Sequence, residues 1–182
     1  MSTRIVPLEA PYEESMAEAF KRIMPPGMAP LKLFRTLAHN PRVLLRLFAG
    51  NLLDKGSIDL RTRELVILHT CARCGSEYEW GVHVALFAQR AALSADDVAM
   101  TLTGNHEQGA LPVQEALLLR VVDELHDTST ISDVLWNELA RHYSSAQILE
   151  IVTLVGNYHM VSFITNAARV ELEAFAPRFN ST

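Results

Sequence analysis

Apolar residues along this chain recur at three- and four-residue intervals, the period of amphipathic helices. Tyr12 to Ile23 predicts a first helix, stopped by the Pro25-Pro26-Gly27 punctuation. Leu31 to Leu37 and Pro41 to Leu53 predict two more, with Asn40 as cap and Pro41 in the first turn. After the break at Gly56 and Ser57, Asp59 caps a strong helix beginning near Arg61, with Leu65, Leu68 and Ala72 on one stripe. Gly75 is the expected terminator of that helix. Ser76 then opens another that runs to about Ala92, with Glu79 completing a Ser-x-x-Glu capping box. Ser94 with Asp97 starts a further helix, closed by Gly104 and Asn105, and Pro112 to His126 is cleanly amphipathic. Asp127 to Thr130 make a turn, and Ser132 or Asp133 begins the next helix. The last is expected to be long, Ser145 to Phe175. No strand alternation, glycine-rich phosphate loop or sequence repeat is present, so the fold class is all-α.

The 182 residues suffice for one domain with a substantial core and are few for two. The pattern divides them into an N-terminal helical extension, 1–57, packing on a core of 58–175. Apolar residues make up 49% of the chain and mean hydropathy is slightly positive. Large apolar faces are rarely left bare, so a homo-oligomer is expected. Neither LLLRVVDEL nor ILEIVTLVGNYHMVSFI supplies the roughly 18 uninterrupted apolar residues of a membrane span. The first fifteen residues lack a signal-peptide core, so a cytoplasmic location without membrane contact is expected. In that compartment Cys71 and Cys74 rest as thiols. The net charge of −5 argues against nucleic acid. Lys32, Arg35, Arg42 and Arg46 form an acid-free basic stretch, with Arg61 and Arg63 soon after. It reads either as a solvated face or as an attractor for an anionic small molecule.

Reactive groups concentrate between Arg63 and Val84. Ser76, Glu79 and His83 are spaced i, i+3, i+7 and share one helix face. Glu79 and His83, one turn apart, can pair directly, a contact that fixes an imidazole tautomer and raises its basicity. Antiparallel packing around Gly75 brings Glu64 to the same cluster. Plainer roles stand beside these: Glu79 as a capping acid, His83 as a hydrogen-bonded core histidine, Glu64 as a first-turn acid that suits the helix dipole. No second histidine follows His83 at ligand distance on that helix, so no metal is expected. No motif calls for a cofactor.

These residues carry a resemblance. Arg63-Glu64-Leu65-Val66-Ile67-Leu68, followed by Gly75-Ser76-Glu77-Tyr78-Glu79-Trp80-Gly81 and His83, resembles the carboxymuconolactone decarboxylase and alkylhydroperoxidase-like superfamily. Val155-Gly156-Asn157-Tyr158-His159-Met160-Val161 resembles its last core helix, and similarity covers roughly Ile58 to Arg169. The resemblance implies an all-α bundle assembled as trimers or hexamers, with sites close to subunit contacts. In the peroxidase branch a Cys-x-x-Cys opens the helix bearing the family histidine; aligned through Glu64 and His83, Ser76 and Glu79 hold those positions here. The disulfide chemistry of that branch is therefore missing from its usual place.

Two activities follow. The leading expectation is a decarboxylase-like acid–base enzyme acting on a small anionic substrate. In it His83 donates the proton, Glu79 orients it and Glu64 relays protons or holds the substrate. Ser76, Tyr78 and Arg63 are the candidate substrate contacts, with Arg73 a further cation nearby. The alternative is a thiol peroxidase or disulfide reductase using Cys71 and Cys74, five residues early. Their place at a helix C-terminus opposes thiolate formation, though Arg73 and His69 partly offset that. The plainer reading makes them small packing residues.

Overall fold

A computed structural model describes residues 3–104 and 111–181. Nine α-helices are present among these residues, and no strand. They are α1 (Glu14–Ile23), α2 (Lys32–Leu37), α3 (Pro41–Ala49), α4 (Leu60–Arg73), α5 (Glu77–Phe87), α6 (Ala95–Thr103), α7 (Val113–Thr128), α8 (Asp133–Leu139) and α9 (Ser145–Ala168). A 3-10 turn at Phe179–Ser181 ends the described chain.

The hub is α4, which packs against α5, α6, α7 and α9. A helix with one neighbour needs only a stripe of apolar residues, whereas one enclosed by four is buried on most of its circumference. Accordingly every residue from Arg63 to Cys71 is buried, and Leu65 to Leu68 are fully so. Asp59 caps the helix by accepting from the Thr62 N–H at 2.7 Å. Gly75 closes it at φ +62°, a conformation that costs glycine little. The main core gathers Val66, Ile67, Trp80, Leu118, Val122, Leu135, Ile151 and Leu154 around this axis. A second cluster joins Met16, Phe20, Leu33, Leu37 and Leu44 of α1–α3 to Tyr78, Val82, Val161 and Ala168. The N-terminal helices thus lie on the α5–α9 face.

Several helix ends differ from the sequence pattern. The first two helices begin at Glu14 and Lys32, and the third ends at Ala49, before Gly50. Phe87 ends α5, and the chain turns through Ala92 at φ +52°. Arg169, left-handed at φ +50°, stops α9 seven residues short of Phe175. Beyond it the chain folds back against α5: the Tyr78 hydroxyl donates to Glu173 at 2.7 Å, the Phe179 N–H donates to Glu77 at 2.9 Å, and Phe179 meets Trp80 edge-on. Gly81 makes room for this return, since a Cβ there would lie 2.5 Å from the Pro177 carbonyl oxygen. Capping boxes form at Ser94–Asp97 and Ser144–Gln147. The one expected at Ser76–Glu79 does not: Ser76 Oγ pairs with Thr165 Oγ1 at 2.9 Å, leaving Glu79 for another role. Gly104 is left-handed as expected of a terminator, while Asn105 falls outside the described residues. By length and composition α9 is the one helix among the described residues that suits a membrane crossing. In the bundle it buries Ile148, Ile151, Leu154, Val155 and Tyr158.

Candidate active site

Glu64, Glu79 and His83 do meet, because α4 and α5 run back past each other from the Gly75 turn. His83 Nδ1 lies 2.7 Å from Glu64 Oε2, and the other oxygen of Glu64 receives Arg63 Nε and Nη2 at 3.0 and 2.9 Å. The Arg63 guanidinium also donates to the Leu53 carbonyl at 2.8 Å. On the far side of the imidazole, the Tyr158 hydroxyl lies 2.9 Å from His83 Nε2. Burial pushes the Tyr158 hydroxyl well up, so it keeps its proton and donates it to Nε2. Nδ1 then carries the ring proton and donates to the Glu64 carboxylate. The tautomer is fixed from both ends, and Phe87 stacks on the ring at 5.1 Å.

The partner that orients His83 is therefore Glu64, not Glu79 as the sequence spacing implied. Glu79 Oε2 stands 3.9 Å from His83 Nε2, too long for a hydrogen bond. The i, i+4 spacing brings two side chains near each other, but the shorter approach from the neighbouring helix takes the ring. Glu79 is only 5% exposed and forms no hydrogen bond among the described residues. Burial raises its carboxyl to about 7, with His83 opposing.

Glu79, His83 and Tyr158 face a cavity of about 420 Å³. Leu33, Phe34, Leu47 and Phe48 of the N-terminal helices supply one wall, Val82, Leu86 and Phe87 another. Arg63 and Arg90 bring positive charge and flank the Phe87 ring at 5.5 and 5.8 Å. Small-molecule sites have this character, an apolar body with a few convergent polar groups.

Other expected contacts are absent from the wall. Ser76 is fully buried against Thr165. Tyr78 is 3% exposed, its hydroxyl accepting from the Leu33 N–H at 2.9 Å and donating to Glu173. Both bind secondary elements together rather than lining the cavity. Of the basic residues noted, only Arg63 reaches it. Arg61 is held by Glu115 and Asp97, Arg35 by Glu9, Lys32 by Glu171, and Arg73 by Asp123 and Asp127. Arg42 and Arg46 lie exposed on α3. Tyr158 and Arg90 had no assigned role in the sequence. Tyr158 lies 75 residues from the histidine it touches, beyond the reach of any local spacing rule.

Cys71 and Cys74 are free thiols on the C-terminal turn of α4. Cys71 is fully buried, and burial pushes its thiol well up. The half-buried Cys74 is also raised, chiefly by burial. His69 does not offset this: its nitrogens bond the Thr101 carbonyl at 2.8 Å and Asp123 at 2.9 Å.

Residues 41–124 match the model of the carboxymuconolactone decarboxylase family. No curated protein matches the chain significantly. Among solved structures, an uncharacterised peroxidase-related protein from Silicibacter sp. TM1040 superimposes with a TM-score of 0.82 at 16% identity, covering 97% of this chain and 95% of that one. A peroxidase-related protein from Ralstonia eutropha JMP134, described as an alkylhydroperoxidase core, gives 0.75 at 14% identity over 95% of both chains. A debrominase in complex with 2,3,4-tribromopyrrole, a cysteine-to-alanine variant, gives 0.76 at 18% identity over 96% and 94%. At these identities the likeness is one of fold.

Proposed function

We propose that this chain, residues 41–124 of which match the carboxymuconolactone decarboxylase family model, is a cofactor-free enzyme doing acid–base chemistry on a small anionic substrate. Decarboxylation, or proton transfer on a lactone or enol, is the reaction type. The observation that carries this reading is the Glu79 carboxyl, without a hydrogen bond, on the wall of a cavity beside a histidine held at both nitrogens. A carboxyl at about 7 is protonated in about half of the molecules at neutral pH, the poise that favours a general acid.

In a decarboxylation, the bond to the leaving carboxylate breaks and carbon dioxide departs. Its electron pair passes into the conjugated enolate, and a proton goes to the enolate carbon. Glu79 is the donor in this scheme and regains its proton from solvent or through His83, 3.9 Å away. His83 is a less direct donor than its family position implied, because both nitrogens are occupied. Glu64 with Arg63 fixes His83, and Tyr158 links it to the cavity. Arg63 and Arg90 attract the substrate's anionic groups, and the apolar walls strengthen those charges by excluding water. The 2,3,4-tribromopyrrole bound by a protein of the same fold supports a small flat ring as occupant.

The test is a screen of lactone and unsaturated carboxylate substrates for carbon dioxide release or enol conversion. Glu79→Gln and His83→Gln are expected to lower turnover about 10²–10⁴-fold, while Cys71→Ser leaves it unchanged. Turnover indifferent to Glu79→Gln would overturn the assignment. The thiol-peroxidase alternative has little support from two thiols raised by burial, since the thiolate is the reacting species. Both thiols are expected to survive a small excess of peroxide in a thiol titration. Loss of both, restored by a dithiol reductant and abolished in Cys71→Ser, would put peroxidase chemistry first.

A further inference from the structure

On another face of α9, one residue past Tyr158, three ligand-type side chains converge from three helices. Cys74 caps the C-terminal end of α4, His126 lies in the last turn of α7, and His159 sits in mid-α9. Their donor atoms all lie within 4.8 Å of one another, and each residue is half-buried. His126 Nδ1 is 2.9 Å from His159 Nε2, and Cys74 Sγ is 3.9 Å from His126 Nδ1. The acid–base site uses none of them.

Several features preset the cluster. His159 Nδ1 lies 2.8 Å from the Val155 carbonyl, which can only accept, so this nitrogen carries a proton. Its Nε2 then presents a lone pair to the cluster when the ring is neutral, the backbone contact that orients many metal-binding histidines. Asn166 donates to the Cys74 carbonyl at 2.8 Å, tying the end of α4 to α9. His126 and His159 thus sit on helices held by the main core and Cys74 on the C-cap of a third, so the cluster does not rest on a long loop.

We propose that Cys74, His126 and His159 form a binding site for Zn2+, with a water molecule as fourth ligand. One thiolate and two imidazoles suit a borderline-soft divalent cation, while the hard Mg2+ and Ca2+ prefer oxygen. In tetrahedral zinc sites with Zn–N near 2.0–2.1 Å and Zn–S near 2.3 Å, ligand atoms stand roughly 3.3–3.6 Å apart. The histidine nitrogens must open by a few tenths of an ångström, and the sulfur must close by a few tenths toward His126 and by up to roughly 1 Å toward His159, which side-chain rotation supplies. On binding, the Cys74 thiol releases its proton to solvent. The proton shared between the imidazoles leaves Nδ1 of His126 for its Nε2, and the metal takes that place. The Cys-x-x-Cys is then divided in role, with Cys74 a ligand and Cys71 a packing residue.

The test uses the full-length reduced protein, freed of metal and titrated with Zn2+ and, as a spectroscopic probe, with Co2+. Expected are one equivalent of Zn2+ per chain, a rise in melting temperature on binding, and a thiolate-to-cobalt charge-transfer band. That band disappears in Cys74→Ser and persists in Cys71→Ser. His126→Gln and His159→Gln each weaken Zn2+ binding by at least about 100-fold, the upper end of what loss of an outer contact costs. Circular dichroism of the metal-free variants establishes that each is folded. No tight Zn2+ binding by the parent protein, affinity unchanged in His159→Gln, or a cobalt band that follows Cys71 rather than Cys74 would overturn the proposal.

Discussion

Replacing Glu79 by Gln separates the energetic cost of this carboxyl from the rest of the fold. The folded protein holds the group at about 7 against an ordinary 4.5, chiefly through burial. Because the folded value lies above the unfolded one, the folded state binds the proton more tightly. Below pH 4.5 the group is neutral in both states and costs nothing. As pH rises from 4.5 to 7 the unfolded chain ionises first, so stability falls, and above 7 the full penalty persists. A displacement from 4.5 to about 7 corresponds to about 3 kcal/mol. Gln keeps the volume and never ionises. Glu79→Gln should therefore match the parent near pH 4.5 and exceed it by about 3 kcal/mol at pH 8. For a chain of this length that is roughly 6–12 °C in melting temperature. The assay is denaturant unfolding of both proteins at several pH values, taken as a difference so that every other titrating group cancels. A difference that does not change with pH, or a variant less stable at pH 8, would refute the reasoning. Such a gain in stability alongside a loss of turnover marks a site that trades one for the other.

Glu64→Ala leaves Arg63 and His83 without their shared carboxylate in a buried setting; a loss of about 3–5 kcal/mol is expected by denaturant unfolding. Gly81→Ala sets a Cβ 2.5 Å from the Pro177 carbonyl, so a loss of about 1–3 kcal/mol is expected despite the better helix propensity of alanine. Limited proteolysis should then cut the C-terminal segment sooner. Leu149, Met160 and Phe163 form an exposed apolar stripe on α9, which we propose as the contact of a homo-oligomer, since large apolar faces are rarely left bare. Phe163→Glu should lower the particle mass in light scattering, and an unchanged multimer would exclude this stripe as the contact.

Local chemistry is written along the chain, and it made the helices legible. Apolar period, Asn40, Asp59, Gly75 and Ser94 act on neighbours within a turn, so caps and terminators at these positions can be read without a third dimension. The cluster of Glu64 and His83 was legible for the same reason, since one glycine turn joins the two helices that carry them. Tertiary packing decided what competed for each group. Ser76 could cap or cross to α9, and Thr165 won it. Glu79 could pair with His83 along its helix, but Glu64 and Tyr158 reached the ring first and left the carboxyl at the cavity. The fold-back of 170–181 depends on Gly81, which reads locally only as a weak helix former. Cys74, His126 and His159 are separated by 52 and 33 residues, so no spacing rule joins them. A sequence specifies contacts within a turn by period and residue type; contacts between helices depend on crossing geometry, which exists only once the whole core has packed.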